Sequence, residues 1–77
     1  MNDDTKLSPL SQPYEEDGLT VDIEIYEDGE GGWLLEIVDE DNNATMWENS
    51  FDTDEDALAE ALAAIADQGI AMFIGHA

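Results

Sequence analysis

The sequence predicts an α+β domain in which one helix packs on one face of an antiparallel sheet of three or four strands. Three observations support this class: apolar and polar residues alternate from Thr20, turn-forming residues cluster at 27–32 and 39–43, and an alanine-rich segment follows the helix-capping residue Thr53. The predicted order is strand, strand, strand, helix, strand. The predicted domain covers residues 19–77.

Residues 1–18 are predicted to form a disordered acidic leader. They contain both prolines of the chain and show no apolar period of either 3.6 or 2 residues. In an alternative that stays open, Leu7, Leu10 and Tyr14 contact the domain, although the two prolines disfavour a helix there.

The first two strands are predicted to form a hairpin. The inward residues of the first strand are all β-branched: Val21, Ile23 and Ile25. Three glycines in the turn at residues 27–32 supply the positive φ values that a hairpin connection needs. The second strand covers residues 33–39, and its outward residues Leu34 and Val38 give it a second, partly apolar face.

The third predicted strand covers residues 44–51, after a turn rich in Asp and Asn at residues 39–43. Trp47 and Phe51 fall in one alternation class and Met46 falls in the other, so the register of this strand stays open.

The helix is predicted to begin at about Asp54 and to end near Gln68. Thr53 and Asp56 have the spacing of a capping box, and Gly69 is typical of a helix C-terminus. The large side chains that recur at helical spacing are expected to face the sheet: Leu58, Leu62 and Ile65.

A short apolar run at residues 70–74 is predicted to be a fourth strand at an edge of the sheet. An exposed apolar edge invites association. The run is therefore expected either to pair within the chain or to mediate a homodimer through Ile70, Met72 and Ile74.

The charge balance excludes direct binding of nucleic acid. The chain has 21 acidic residues against a single lysine and no arginine, which gives a net charge of -20. Such a chain has too few cations to contact phosphates, and it would be repelled by acidic lipid headgroups. No segment approaches the roughly 18 apolar residues that span a bilayer, and residues 1–6 lack a signal-peptide pattern, which favours a soluble cytoplasmic protein.

The sequence predicts neither catalysis nor a cofactor. Cysteine is absent, and the one histidine is the penultimate residue, His76. Asp39, Asp41 and Asn43 match the first ligand positions of an EF-hand loop, as do three acids from Asp52 onward, but neither run has the sixth-position glycine or the twelfth-position glutamate. A turn and a helix cap explain these residues, so no metal is expected.

Two segments carry a resemblance to a known family. The Gly-rich turn leading into Trp33 at residues 28–33, and the Thr-acid-Ala pattern at residues 53–58, resemble HicB-type antitoxin domains. The chain departs from that family in its second turn at residues 39–43 and in lacking the DNA-binding segment that many members carry. The chain is also similar to short acidic bacterial proteins with the same Gly-Gly-Trp spacing, from which only the fold is implied. The first resemblance implies an antitoxin that pairs with a toxin.

The acids themselves are the remaining candidate site. Dense carboxylates on a rigid scaffold predict a protein-interaction module, with a basic protein as the candidate partner, and one mode of action would be mimicry of DNA in a basic groove. Acidity as a general solubility device, or as an adaptation to a salty cytoplasm, explains the same composition. The acids expected to be ordered are Asp22, Glu24, Glu36, Glu48, Asp54, Glu55, Asp56 and Glu60.

Overall fold

A computed structural model describes residues 7–74 and confirms the predicted α+β class. Four strands form one antiparallel sheet in the order β1-β2-β3-β4, so each strand pairs with its neighbour in sequence. The elements are β1 (Gln12–Glu16), β2 (Leu19–Glu27), β3 (Trp33–Asp39), β4 (Ala44–Met46), α1 (Asp54–Gln68) and a 3₁₀ helix (Ile70–Phe73).

The β2–β3 hairpin forms the centre of the sheet and follows the predicted alternation. Ile23 pairs with Ile37, and Ile25 pairs with Leu35. These four side chains and Val21 are at most 1% exposed. Burial of large β-branched and leucine side chains on one face makes this hairpin the main contribution of the sheet to the hydrophobic core.

β1 is an edge strand where the sequence predicted disorder. Its five residues pair with β2, and Leu7 forms a further bridge with Tyr26. Between them the Ser11 hydroxyl accepts a hydrogen bond from the Ile25 amide at 3.0 Å and donates one to the Ile25 carbonyl at 3.1 Å. The disorder prediction is therefore wrong for residues 12–16, whereas residues 1–6 lie outside the described residues.

β4 is shorter than the predicted third strand. Its ladder with β3 ends at Met46. The Trp47 amide still donates a hydrogen bond of 3.2 Å to the Leu35 carbonyl of β3, and Phe51 then exchanges two backbone hydrogen bonds with Trp33. Four residues, 47–50, thus lie opposite two residues of β3, and this bulge ends the regular pairing.

α1 has the predicted caps but buries a different face. The Thr53 hydroxyl accepts a hydrogen bond from the Asp56 amide at 3.0 Å, and Gly69 (φ 88°) donates its amide to the Ile65 carbonyl. The buried helix residues are Ala57, Ala61, Ala64 and Ile65. Leu58 is half-buried and Leu62 is 38% exposed, so the prediction that these leucines face the sheet is wrong for Leu62.

The predicted fourth strand is instead the 3₁₀ helix at Ile70–Phe73. Ile70 and Phe73 are three residues apart, which places both on one side of a 3₁₀ helix, and both are buried. Met72 is 65% exposed and Ile74 is half-buried. The strand edge on which a homodimer through Ile70, Met72 and Ile74 depended is thus absent, and Ile70 belongs to the core of its own chain.

Candidate interaction surface

The sheet has one covered face and one open face. α1 and the 3₁₀ helix pack on the face that carries the buried row of β2 and β3. Side chains that alternate with this row point to the opposite side, which we call the open face. Its acidic members on the two central strands are Asp22, Glu24 and Glu36, Glu15 of β1 lies on the same side, and its large apolar members are Tyr26, Leu34, Val38 and Met46.

Two carboxylates lie directly opposite each other at the centre of the open face. Glu24 of β2 pairs with Glu36 of β3. Burial raises the pKa of Glu24 above its usual value, and the charges of Glu36 and then Asp22 raise it further. Because like charges at directly opposed positions destabilise a sheet, the fold carries this pair at a cost.

Tyr26 borders the same pair. Its hydroxyl donates a long hydrogen bond of 3.3 Å to Glu36 Oε1. Burial is the largest cause that raises the pKa of Tyr26, and the charge of Glu36 comes next. The Tyr26 phenol therefore stays protonated at neutral pH. Among the described residues, it is the one hydroxyl that donates a hydrogen bond to the Glu36 carboxylate.

Four of the five other predicted acids lie on α1, away from the open face. Asp54, Glu55 and Asp56 form the first turn of α1, where negative charge complements the helix dipole. Asp54 Oδ2 also accepts a hydrogen bond of 2.7 Å from the hydroxyl of the buried Ser8. These three acids therefore have a local structural role.

Glu48 and Glu60 complete the predicted set. Glu60 Oε2, on α1, accepts a hydrogen bond of 3.2 Å from the indole of Trp47, whose ring stacks on Phe73 at 6.2 Å. Glu48 is exposed in the segment that follows β4. Of the eight predicted acids, three thus share the open face and four belong to the helix that covers the other face. The eighth, Glu48, lies in the segment after β4.

Two aspartates, one of which is Asp39 of the EF-hand-like run, accept hydrogen bonds from the amides of their own turns. Asp39 Oδ1 accepts the amides of Asp41 and Asn43 at 2.9 and 2.8 Å, and its Oδ2 accepts the Asn43 side-chain amide at 3.1 Å. Asp28 Oδ1 likewise accepts the amides of Glu30 and Gly32. These hydrogen bonds lower the pKa of Asp28, and no cluster of three or more potential metal ligands occurs within residues 7–74.

The apolar half of the open face was missed as part of a site. Leu34 and Val38 were recognised as a second apolar face of β3, but the sequence does not show that β4 adds Met46, which is 54% exposed, beside them. The sequence signal that indicates this half is the outward alternation of apolar residues in β3. Apolar residues on both faces of a strand indicate that both faces pack against other groups.

Replacing Glu24 by glutamine is expected to stabilise the protein at pH 7 by about 0.5 kcal/mol at low salt, because it removes a charge from an opposed pair. In the unaltered protein, folded Glu24 binds its proton at a higher pH than unfolded Glu24. Stability therefore rises as pH falls from 7 toward 4.5. Asp28 acts in the opposite sense, since its folded pKa lies below 3.8, and its contribution is lost in stronger acid.

Urea unfolding at several pH values measures both effects. Glu40→Gln is the matched control, because it removes the same charge from an exposed turn. The rise in stability between pH 7 and 4.5 should be smaller in Glu24→Gln than in Glu40→Gln. Identical profiles for the two variants would show that overall charge, and not the opposed pair, sets the pH dependence.

Three comparisons with known proteins gave no match. No protein-family model, no curated protein and no solved structure matches this chain.

Within residues 7–74, no helix combines the length and the apolar character needed to cross a membrane.

Proposed function

We propose that this chain is a cytoplasmic, non-enzymatic protein-interaction module that binds a basic surface on a partner protein. The observation that carries the proposal is the charge of the folded part. Residues 7–74 contain all the acids of the chain except Asp3 and Asp4, and they contain no lysine, arginine or histidine. Among these acids only Asp39 is buried.

The structure fixes these carboxylates without neutralising them. Of the 19 acids of residues 7–74, 12 lie on the sheet or the helix and seven lie in the segments between these elements, and within the described residues there is no cationic side chain to pair with them. A basic partner would relieve this repulsion, and its association would be fast at low ionic strength and slower as salt screens the charges.

One comparison of charge and length favours DNA mimicry as the mode of binding. The described part is 35 Å long on its longest axis, and residues 7–74 carry 19 acids and no cationic side chain. B-DNA carries one charge per about 1.7 Å of helix axis, so a duplex of this length carries about 20 charges. The second candidate function is therefore an inhibitor that occupies the basic groove of a nucleic-acid-binding protein.

Affinity capture from the native cell extract at low salt, followed by a high-salt wash, tests the proposal. A single basic protein that is recovered in stoichiometric amount and released by salt is the expected result. Recovery of no basic protein, or of a partner that high salt does not release, would contradict it.

Competition with duplex DNA separates the two modes. An inhibitor that mimics DNA must displace a labelled duplex from the captured partner with one-to-one stoichiometry. A partner that holds DNA and this chain at the same time contradicts mimicry and leaves the interaction module. A tight one-to-one complex with a toxin would instead favour the antitoxin-like role that the HicB resemblance implies.

A further inference from the structure

The open face is the one large surface of the sheet that no described element covers. α1 and the 3₁₀ helix both pack on the other face, which gives the described residues a two-layer structure. One face of an antiparallel sheet is commonly solvated, but a cluster of large apolar side chains on that face is typical of an interaction surface. The apolar residues of the open face are therefore expected to contact something other than residues 7–74.

The open face is divided into an apolar half and an acidic half. The apolar half lies on β3 and β4, where Leu34, Val38 and Met46 point outward. The acidic half lies on β2, where Asp22 and Glu24 follow one another on the same side. This arrangement has the pattern of a surface that meets a partner with one apolar stripe and one basic flank.

Glu36 joins the two halves. It lies between Leu34 and Val38 on β3 and opposite Glu24 on β2. Both glutamates are half-buried, and this burial raises the pKa of Glu24. A cation placed between Glu24 and Glu36 would replace the repulsion with attraction, and each carboxylate has acceptor sites for it.

A groove extends the acidic half toward the edge of the sheet. It has a volume of about 220 Å³, and Leu7, Pro13, Asp22 and Glu24 are among the residues that line it. Apolar walls with carboxylates nearby suit a lysine or arginine side chain, whose methylene stem packs on apolar surface while its charge stays with the acids.

We infer that the open face binds an amphipathic helix of the partner protein, with the apolar stripe of that helix on Leu34, Val38 and Met46 and its basic flank on Asp22, Glu24 and Glu36. This inference rests on the proposed function, since it assumes a basic partner. Leu34 and Val38 are four residues apart on β3, or about 13 Å, which corresponds to between two and three turns of helix. The partner helix would form a third layer over the sheet.

Charge complementarity selects this occupant over a second copy of the chain. Two open faces brought together would place the Asp22, Glu24 and Glu36 carboxylates of both copies side by side, with no cation among residues 7–74 of either copy. Like charges in such a contact oppose association. A basic helix satisfies the apolar half and the acidic half together.

Two synthetic peptides of identical Leu and Lys composition test the inference. In one, leucine recurs at helical spacing so that the peptide is an amphipathic helix, and in the other the order is scrambled. Fluorescence anisotropy with the full chain gives the dissociation constants. The buffer contains 150 mM salt, and at about this ionic strength exposed charges are screened beyond about 8 Å. The amphipathic peptide is expected to bind at least about 10-fold more tightly than the scrambled one.

Matched variants locate the contact. The double variant Glu24→Gln with Glu36→Gln should weaken binding of the amphipathic peptide by about 10-fold or more. The control double variant is Glu55→Gln with Asp67→Asn, which removes two charges from exposed positions on α1. It should change binding less than about 2-fold. Met46→Ala should weaken binding without any change of charge, and Leu62→Ala, at an exposed leucine on α1, should not. Circular dichroism confirms that each variant is folded.

The outcomes separate failure of the inference from failure of the proposed function. Equal losses from the two charge pairs, or equal binding of the two peptides, would overturn the helix contact while leaving a basic partner. Absence of binding by either peptide even at low salt would contradict both. Dimerisation in sedimentation experiments that is lost in Met46→Ala would make a second copy the occupant and would also overturn the inference.

Discussion

Asp39→Ala is expected to lower the free energy of unfolding by about 2–4 kcal/mol, since it removes a buried carboxylate and leaves three partly buried amide groups of the β3–β4 turn without their acceptor. The Asp39 side chain is 4% exposed and receives hydrogen bonds from the Asp41 amide and from both the backbone and side-chain amides of Asn43. The same turn holds Asn42 at a φ of 69°, a conformation that the chain adopts only with local support. Urea unfolding followed by tryptophan fluorescence measures the loss.

Asp28→Ala is the matched control for this prediction. Asp28 accepts the amides two and four residues later, as Asp39 does, and each aspartate donates its own amide to the carbonyl four residues on. Asp28 is more exposed, so water can replace its carboxylate. Its loss should be clearly smaller. Equal losses in the two variants would mean that the hydrogen-bonded turn, and not burial of the carboxylate, sets the energy.

Ala61→Leu is expected to destabilise the protein by about 1–3 kcal/mol, although leucine is a strong helix former, because the site has no room for it. Ala61 is 0% exposed, and with Ala57 and Ala64 it forms the face of α1 that packs on the sheet. A larger side chain there must push α1 away from β2 and β3 or adopt a strained rotamer.

Ala63→Leu is the control on the same helix, since Ala63 is exposed. It should change the free energy of unfolding by less than about 0.5 kcal/mol. Thermal unfolding by circular dichroism measures both variants. If both leucines were tolerated equally well, α1 would not pack through its alanine face.

The central hairpin and the start of α1 could be predicted because several local signals agree there. In β2 and β3 the two-residue period coincides with β-branched residues and with glycines in the turn. At Thr53 the capping residue, the acids of the first turn and the following alanines all favour a helix. Long, consistent patterns leave the chain few alternatives.

The wrong predictions fall where local signals are short or conflict. β1 carries a proline and two glutamates in five residues, and it is held by pairing with β2 more than by burial of its own side chains. An apolar run as short as Ile70–Phe73 does not distinguish a strand from a helical turn. The spacing of large side chains does not identify the buried face of α1, because close approach to a sheet favours alanine over leucine.

The candidate site could be predicted in its acids but not in their arrangement. Alternation places Asp22 and Glu24 on one side of β2, but only the register sets Glu36 of β3 opposite Glu24. Register depends on pairing between segments that are distant in sequence, and the sequence alone left it open for β4 as well. The division between an apolar and an acidic half therefore required the structure.

β1 has a consequence for how the molecule behaves at high concentration. Without it, the nine residues of β2 would present a free row of amides and carbonyls beside Ile23 and Ile25, a template onto which other chains could add and grow into fibrils. Pro13 lacks an amide, and Glu15 and Glu16 bring two negative charges to the outer edge. β1 thus ends this side of the sheet with a border that resists polymerisation.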